Sequence, residues 1–202
     1  FNQAAWKRLN IKAIALTLLL ALWSFGVTHV KQLWFDAPAI WWYLVWTTFY
    51  LQPLVIALIT KEVITAAKKI LLQHRIRLYG KLLLAIACIQ LGGAHGILYQ
   101  PAVYVLLFVV ILQPVLTELA REARQGNIYA SYILPPAVTM ILFYIVDTGA
   151  HYWHLLPKDI YLLPLSIYAF TAFAALMLRE QMRREHQLEE RAVSLEYEIA
   201  VA

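Results

Sequence analysis

Six stretches of the chain are apolar over about the 20 residues that a helix needs to cross the hydrocarbon core of a bilayer: residues 11–30, 38–60, 81–99, 101–119, 128–147 and 159–178. None alternates apolar and polar positions with a period of two, so the pattern predicts helices and argues against a barrel. Pro53, Gly92, Gly93, Pro114, Pro135, Pro136 and Pro164 fall inside these stretches, where membrane helices accept them as kinks. After Leu178 the pattern changes abruptly. Residues 179–200 carry ten charges of both signs and no Gly or Pro, and Leu188, Ala192, Leu195 and Ile199 recur at spacings of 4, 3 and 4. That is a heptad stripe, which a solitary solvated helix has no use for. The predicted fold is an all-α membrane protein. A six-transmembrane-helix bundle over 1–178 continues into a cytoplasmic coiled-coil helix over 179–202, which pairs with its copy to form a homodimer.

Composition agrees. The 202 residues are 62% hydrophobic and 14% charged, whereas a soluble domain is about 45–50% apolar and about 25% charged. So small a globule has too little interior to hide that surface, so lipid is the expected solvent. A single cysteine, Cys88, excludes a disulfide framework. The net charge of +5 would suit nucleic acid, but its placement points elsewhere. Fifteen of the seventeen Lys and Arg lie before span one, between spans two and three, between four and five, or after six; Lys31 and Lys158 are the exceptions. By the positive-inside rule both termini are cytoplasmic, in a multi-pass protein of the bacterial inner membrane, and nucleic acid is excluded as a partner. All nine Glu fall on the inner side and all three Asp on the outer.

A weak internal repeat groups the spans as three out-and-back hairpins. Leu51-Gln52-Pro53-Leu54 is followed by Lys61-Glu62, and Leu112-Gln113-Pro114-Val115 by Arg121-Glu122. Span six holds Leu163-Pro164-Leu165 and ends at Arg179-Glu180. The odd spans end in Gly26-Val27-Thr28-His29, Gly93-Ala94-His95 and Gly149-Ala150-His151. So short a match has chance as its competitor.

Candidate chemistry gathers at those outer ends. His29, His95 and His151 come from three odd helices at one expected depth, with His154 close by, and imidazole is the usual nitrogen ligand of zinc, copper and iron. Asp147, His151 and His154 are spaced to share one helix face, and an intramembrane carboxylate usually faces a partner or a cavity. Asp147 could ligate a metal, orient His151 or hold the polar head of a ligand. The competing reading is plain: histidine sits comfortably at a wet interface. Trp41, Trp42, Tyr43 and Trp46 anchor the interface or line a ligand mouth. Gln52, Gln90, Gln113, Thr47, Thr48, Ser166 and Thr171 are polar at membrane depth, where bonding between helices is their ordinary role. No catalytic motif is present in this segment.

Six spans feeding a charged heptad helix (residues 178–199) resemble the input module of bacterial membrane-bound signalling receptors, of the sensor histidine kinase or nucleotide cyclase type. Two variants are similar. Quorum-sensing receptors bind an amphipathic autoinducer in such a bundle. MHYT-type sensors place His near the outer face of alternate helices, as His29, His95 and His151 stand here, although the Met-His-Tyr-Thr string itself is absent. The resemblance implies a sensor of a small amphipathic ligand or a metal ion. Asp147, His151, His154, His95, His29, Trp41 and Trp42 would surround the stimulus, and a kinase or cyclase output domain would follow residue 202. Two alternatives stay open: a haem- or metal-binding redox protein using the same histidines, and a small transporter or channel subunit.

Overall fold

The computed structural model describes residues 3–28, 37–93, 106–153 and 161–201. They form α1 (Gln3–Val27), α2 (Pro38–Val63), α3 (Ala66–Leu91), α4 (Gln113–Arg124), α5 (Ile128–Tyr152) and α6 (Ser166–Val201). No strand occurs among them. A single π turn, Phe108–Leu112, leads into α4, and a 3-10 turn, Leu163–Leu165, leads into α6. Both irregular turns sit next to a proline, which has no N–H to give an α-helical ladder. Before Pro114 the Gln113 N–H bonds Phe108 O, five residues back. Pro53, Pro135 and Pro136 are carried inside α2 and α5.

Four helices are long and apolar enough to cross a membrane: Trp6–Val27, Pro38–Val63, Ile128–Asp147 and Leu163–Arg184. They correspond to expected spans one, two, five and six. The expected basic loop between spans two and three is instead helix. The chain turns within Ile64 and Thr65 and enters α3, whose first turns carry Lys68, Lys69, Arg75, Arg77 and Lys81. Nothing breaks a helix before Gly80, and Leu72 and Tyr79 bury a face of it, so the basic residues ride on a packed helix. The apolar stretch 94–105, the end of expected span three and the start of expected span four, lies outside the described residues.

The outward faces are apolar. Ile11, Ile14, Leu18 and Leu22 on α1, Leu142 and Ile145 on α5, and Leu176, Leu178 and Met182 on α6 are all exposed. An exposed apolar stripe of this length is what lipid contact requires. At the centre is α2, which touches α1, α3, the π turn, α4 and α5; α5 packs on α4 and α6, and α6 returns to α1. Half of the most apolar window of α2 is buried, against 22% for α1. The core between α1, α2 and α5 is aromatic. Phe49 stacks on Tyr144 at 4.3 Å with rings 10° apart, Trp23 stacks on Phe49 at 5.9 Å, and Tyr161 meets Trp23 edge-on. At Gly26 a Cβ would collide with a methyl of Val45, so α1 and α2 approach as closely as they do only because Gly26 has no side chain.

The helices alternate in direction. Arg8 and Lys12 near the start of α1 meet Glu62 at the end of α2. Thr65, ahead of α3, meets Glu122 near the end of α4, and Tyr129 at the start of α5 lies under Arg184 of α6. Residues 8–12, 60–68, 118–129 and 180–184 thus share one end, called here the basic end. Helix α6 continues beyond it without a break to Val201, so the predicted continuation of span six as one helix is present in the backbone.

Candidate functional site

Two polar constellations stand out, one at each end of the bundle. At the end opposite the basic one, the Asp147 carboxylate accepts hydrogen bonds from the backbone N–H groups of Leu162 and Leu163, each at 2.7 Å. Those N–H groups open the 3-10 turn that starts α6, where a helix has unpaired donors and favours negative charge. The side chain of Asp147 is on α5 and is buried (5% exposed). One carboxylate therefore ties the end of α5 to the start of α6 across the intervening segment. Ser166, in the first turn of α6, bonds back to Leu163 O at 2.6 Å.

The other predicted site residues fall as follows. His151 lies in the last turn of the α5 backbone, four residues beyond Asp147, and its side chain is outside the described set. His29, His95 and His154 also lie outside the described residues, so the expected histidine convergence is not on view. Among the described residues no three His, Cys, Asp or Glu come together as a metal site. Trp41 is buried, edge-on to Phe25 at 5.5 Å. Trp42 is half-buried and meets Tyr43 and Trp46 edge-on. Of this group Trp41 packs between α1 and α2, while these ring contacts of Trp42 lie within α2. Gln52 is fully buried on α2 beside Pro53, and neither its amide nitrogen nor its oxygen has a partner among the described residues. Leu188, Ala192, Leu195 and Ile199 lie on the α6 backbone at the spacing of one face; their side chains are outside the described set.

The basic end holds the constellation that the pattern of residues did not reveal. Three glutamates stand there, each beside a basic residue in sequence: Glu122 and Glu180, which are buried, and Glu62, which is partly buried. Glu62 takes Lys12 and Arg8 from α1 (Arg8 at 3.3 Å). Glu180 takes Arg183 at 3.0 Å and Arg184 at 2.9 Å from its own helix, and the Arg184 guanidinium lies 5.1 Å over the Tyr129 ring. Glu122 is the most enclosed. It accepts from the Thr65 N–H at 3.1 Å, the Thr65 hydroxyl at 2.9 Å and the Asn127 amide at 3.0 Å, with Lys68 Nζ at 3.3 Å. Burial alone would raise its pKa; the donors from Asn127, Thr65 and Lys68 outweigh burial and hold it down to about 2.

Asn127 completes this knot. Its Oδ1 accepts from the N–H groups of Tyr129 and Ala130, capping α5, while its Nδ2 also donates to Val63 O at the end of α2. Gly126, at φ +85°, lets α4 end in a reversal that brings the Asn127 N–H to Glu122 O at 3.0 Å. The two short turns, 64–65 and 125–127, are thereby tied together. The sequence signal was the recurring Lys-Glu and Arg-Glu pair of the even spans. In the first two hairpins the glutamate of that pair meets a lysine of the preceding odd helix, Lys12 or Lys68. In the third, tyrosine stands at the start of the odd helix and the arginines come from α6 itself.

Comparison with protein families, curated proteins and solved structures gave no match.

Proposed function

We propose that this chain is the transmembrane input module of a bacterial signalling receptor. It would sense a small amphipathic ligand or a metal ion at the end marked by Asp147 and pass the change along α6 to a cytoplasmic output domain. The observation that carries this reading is α6 itself, one unbroken helix of 36 residues whose leading 3-10 turn is held by Asp147 of the neighbouring helix. At 1.5 Å per residue it is about 54 Å long, against a hydrocarbon core of about 30 Å, so about 24 Å extends past the membrane. A stiff rod clamped at one face of the bilayer and free beyond the other suits transmission better than transport. A conducting path would need polar groups aligned through the bundle, whereas the ion pairs seen among the described residues gather at the basic end or lie beyond it on α6.

The rod acts on a second copy. Leu188, Ala192, Leu195 and Ile199 form the seam of a parallel dimer, and movement at the Asp147 clamp shifts that seam by rotation or sliding. The stimulus site would draw on Asp147, with His151, His154, His29 and His95, whose side chains lie outside the described set, as its proposed further members. Pairing is tested in bilayer nanodiscs on a Cys88→Ser background. Leu195→Cys should cross-link between copies more readily than Tyr197→Cys; equal yields at the two positions would contradict the seam and remove the output end of the proposal.

A further inference from the structure

Between α5 and α6, at the basic end, lies an open pocket of about 220 Å³ lined by Tyr132, Leu176, Arg179, Glu180 and Arg183. We propose that it binds the phosphate headgroup of an anionic membrane lipid.

Depth comes first. The pocket lies in the final two turns of the candidate span Leu163–Arg184, where acyl chains give way to headgroups. Leu176, which lines it, is exposed and apolar, as the wall beside an acyl chain should be. Charge comes second. Arg179 and Arg183, in its lining, outnumber the one carboxylate there, Glu180. That carboxylate is already committed: Arg183 and Arg184 both bond it, and it is buried (6% exposed). Glu180 therefore acts as a brace that fixes two guanidinium groups. Arg183 contacts it through Nη2, and most of its five donors remain available. Arg179 is exposed and has no acceptor among the described residues. A phosphate diester is the planar-fork acceptor that two arginines one turn apart are shaped to hold, and Tyr132 on the facing helix offers a hydroxyl donor. The inner leaflet supplies such lipids at this depth, whereas a free anion in water would gain nothing from Leu176.

The test uses the full chain reconstituted in vesicles of phosphatidylcholine with or without phosphatidylglycerol, released gently and weighed by native mass spectrometry. The expected result is retained phosphatidylglycerol and little retained phosphatidylcholine. Arg179→Gln should lower retention about fivefold, the effect of one interfacial basic residue. Arg179 bonds nothing that folding needs, so this variant keeps the test clear of misfolding. Lys61→Gln, which removes equal charge at the same end outside the pocket, should leave retention unchanged. Equal loss in both variants would show diffuse attraction and overturn the site. Displacement of the lipid by millimolar inorganic phosphate would show that the anion alone is recognised and overturn the lipid assignment. Cross-linking of Arg179→Cys between copies without regard to lipid would place a second chain in the groove and overturn it too.

Discussion

The buried carboxylate of Glu122 makes the sharpest energetic statement about this fold. It is held from an ordinary value of 4.5 down to about 2 by four donors from three elements. A depression of that size corresponds to on the order of 3 kcal/mol of preference for the charged form in the folded state. Because the folded pKa is lowered, the unfolded chain binds the proton more readily, and stability rises with pH through this window. The contribution is complete above about pH 4.5 and is lost as pH falls through about 2. Glu122→Gln keeps the shape and removes the charge. It should cost about 2–3 kcal/mol at neutral pH, since the Lys68 ammonium and the Thr65 donors are left poorly matched. The assay is unfolding in mixed micelles titrated with a denaturing detergent and followed by tryptophan fluorescence, for both proteins across the acid range. The wild-type chain should lose its advantage over Glu122→Gln as the carboxylate protonates. A neutral-pH difference below about 0.5 kcal/mol, the scale of an exposed ion pair, would refute the claim that Glu122 ties the turns together.

Two further substitutions probe the packing by the same assay. Asn127→Ala removes the cap of α5 and the bond to Val63 O; a loss of about 1–2 kcal/mol is expected, with partial recovery in Asn127→Ser, which restores the cap alone. Gly26→Ala places a methyl against Val45 and should cost about 1–3 kcal/mol, and adding Val45→Ala should recover part of that; strict additivity would mean that the two helices do not meet there.

Much of this architecture was legible from apolar run length alone. Expected spans at 38–60 and 128–147 lie within α2 and α5, and the absence of Gly or Pro over 179–200 correctly foretold a helix running on past Leu178. Run length failed between residues 61 and 81. A cluster of Lys and Arg reads as a loop, yet Lys68 pairs with Glu118 and Glu122 and α3 is continuous there. The reason is physical. In a lipid-facing bundle both the core side and the lipid side of a helix are apolar, so no 3.6-residue stripe says which face packs or against what. Trp41 illustrates this, since its place against Phe25 depends on a neighbouring helix. The same limit applies to Asp147. Its rarity marked it as a residue with a partner, but the partner is the backbone of Leu162 and Leu163, which no side-chain pattern can announce. The recurring acid–base pair of the even spans was visible, and its meaning became clear only once Lys12 and Lys68 were brought to Glu62 and Glu122.

In the proposed mechanism α6 carries the state of the Asp147 clamp to a seam beyond the membrane. The direct measurement is the distance between spin labels at position 195 in paired copies, in nanodiscs, for the wild-type clamp and for Asp147→Asn. Asparagine keeps the size of the side chain and weakens its hold on the two N–H groups, and the label lies far from the change, so only transmitted motion can register. A shift in the distance distribution on the order of 2–5 Å, the scale of a helix slide or a one-turn change of register, is the predicted result. Superimposable distributions, in a variant whose unfolding curve confirms that the clamp has been weakened, would contradict it.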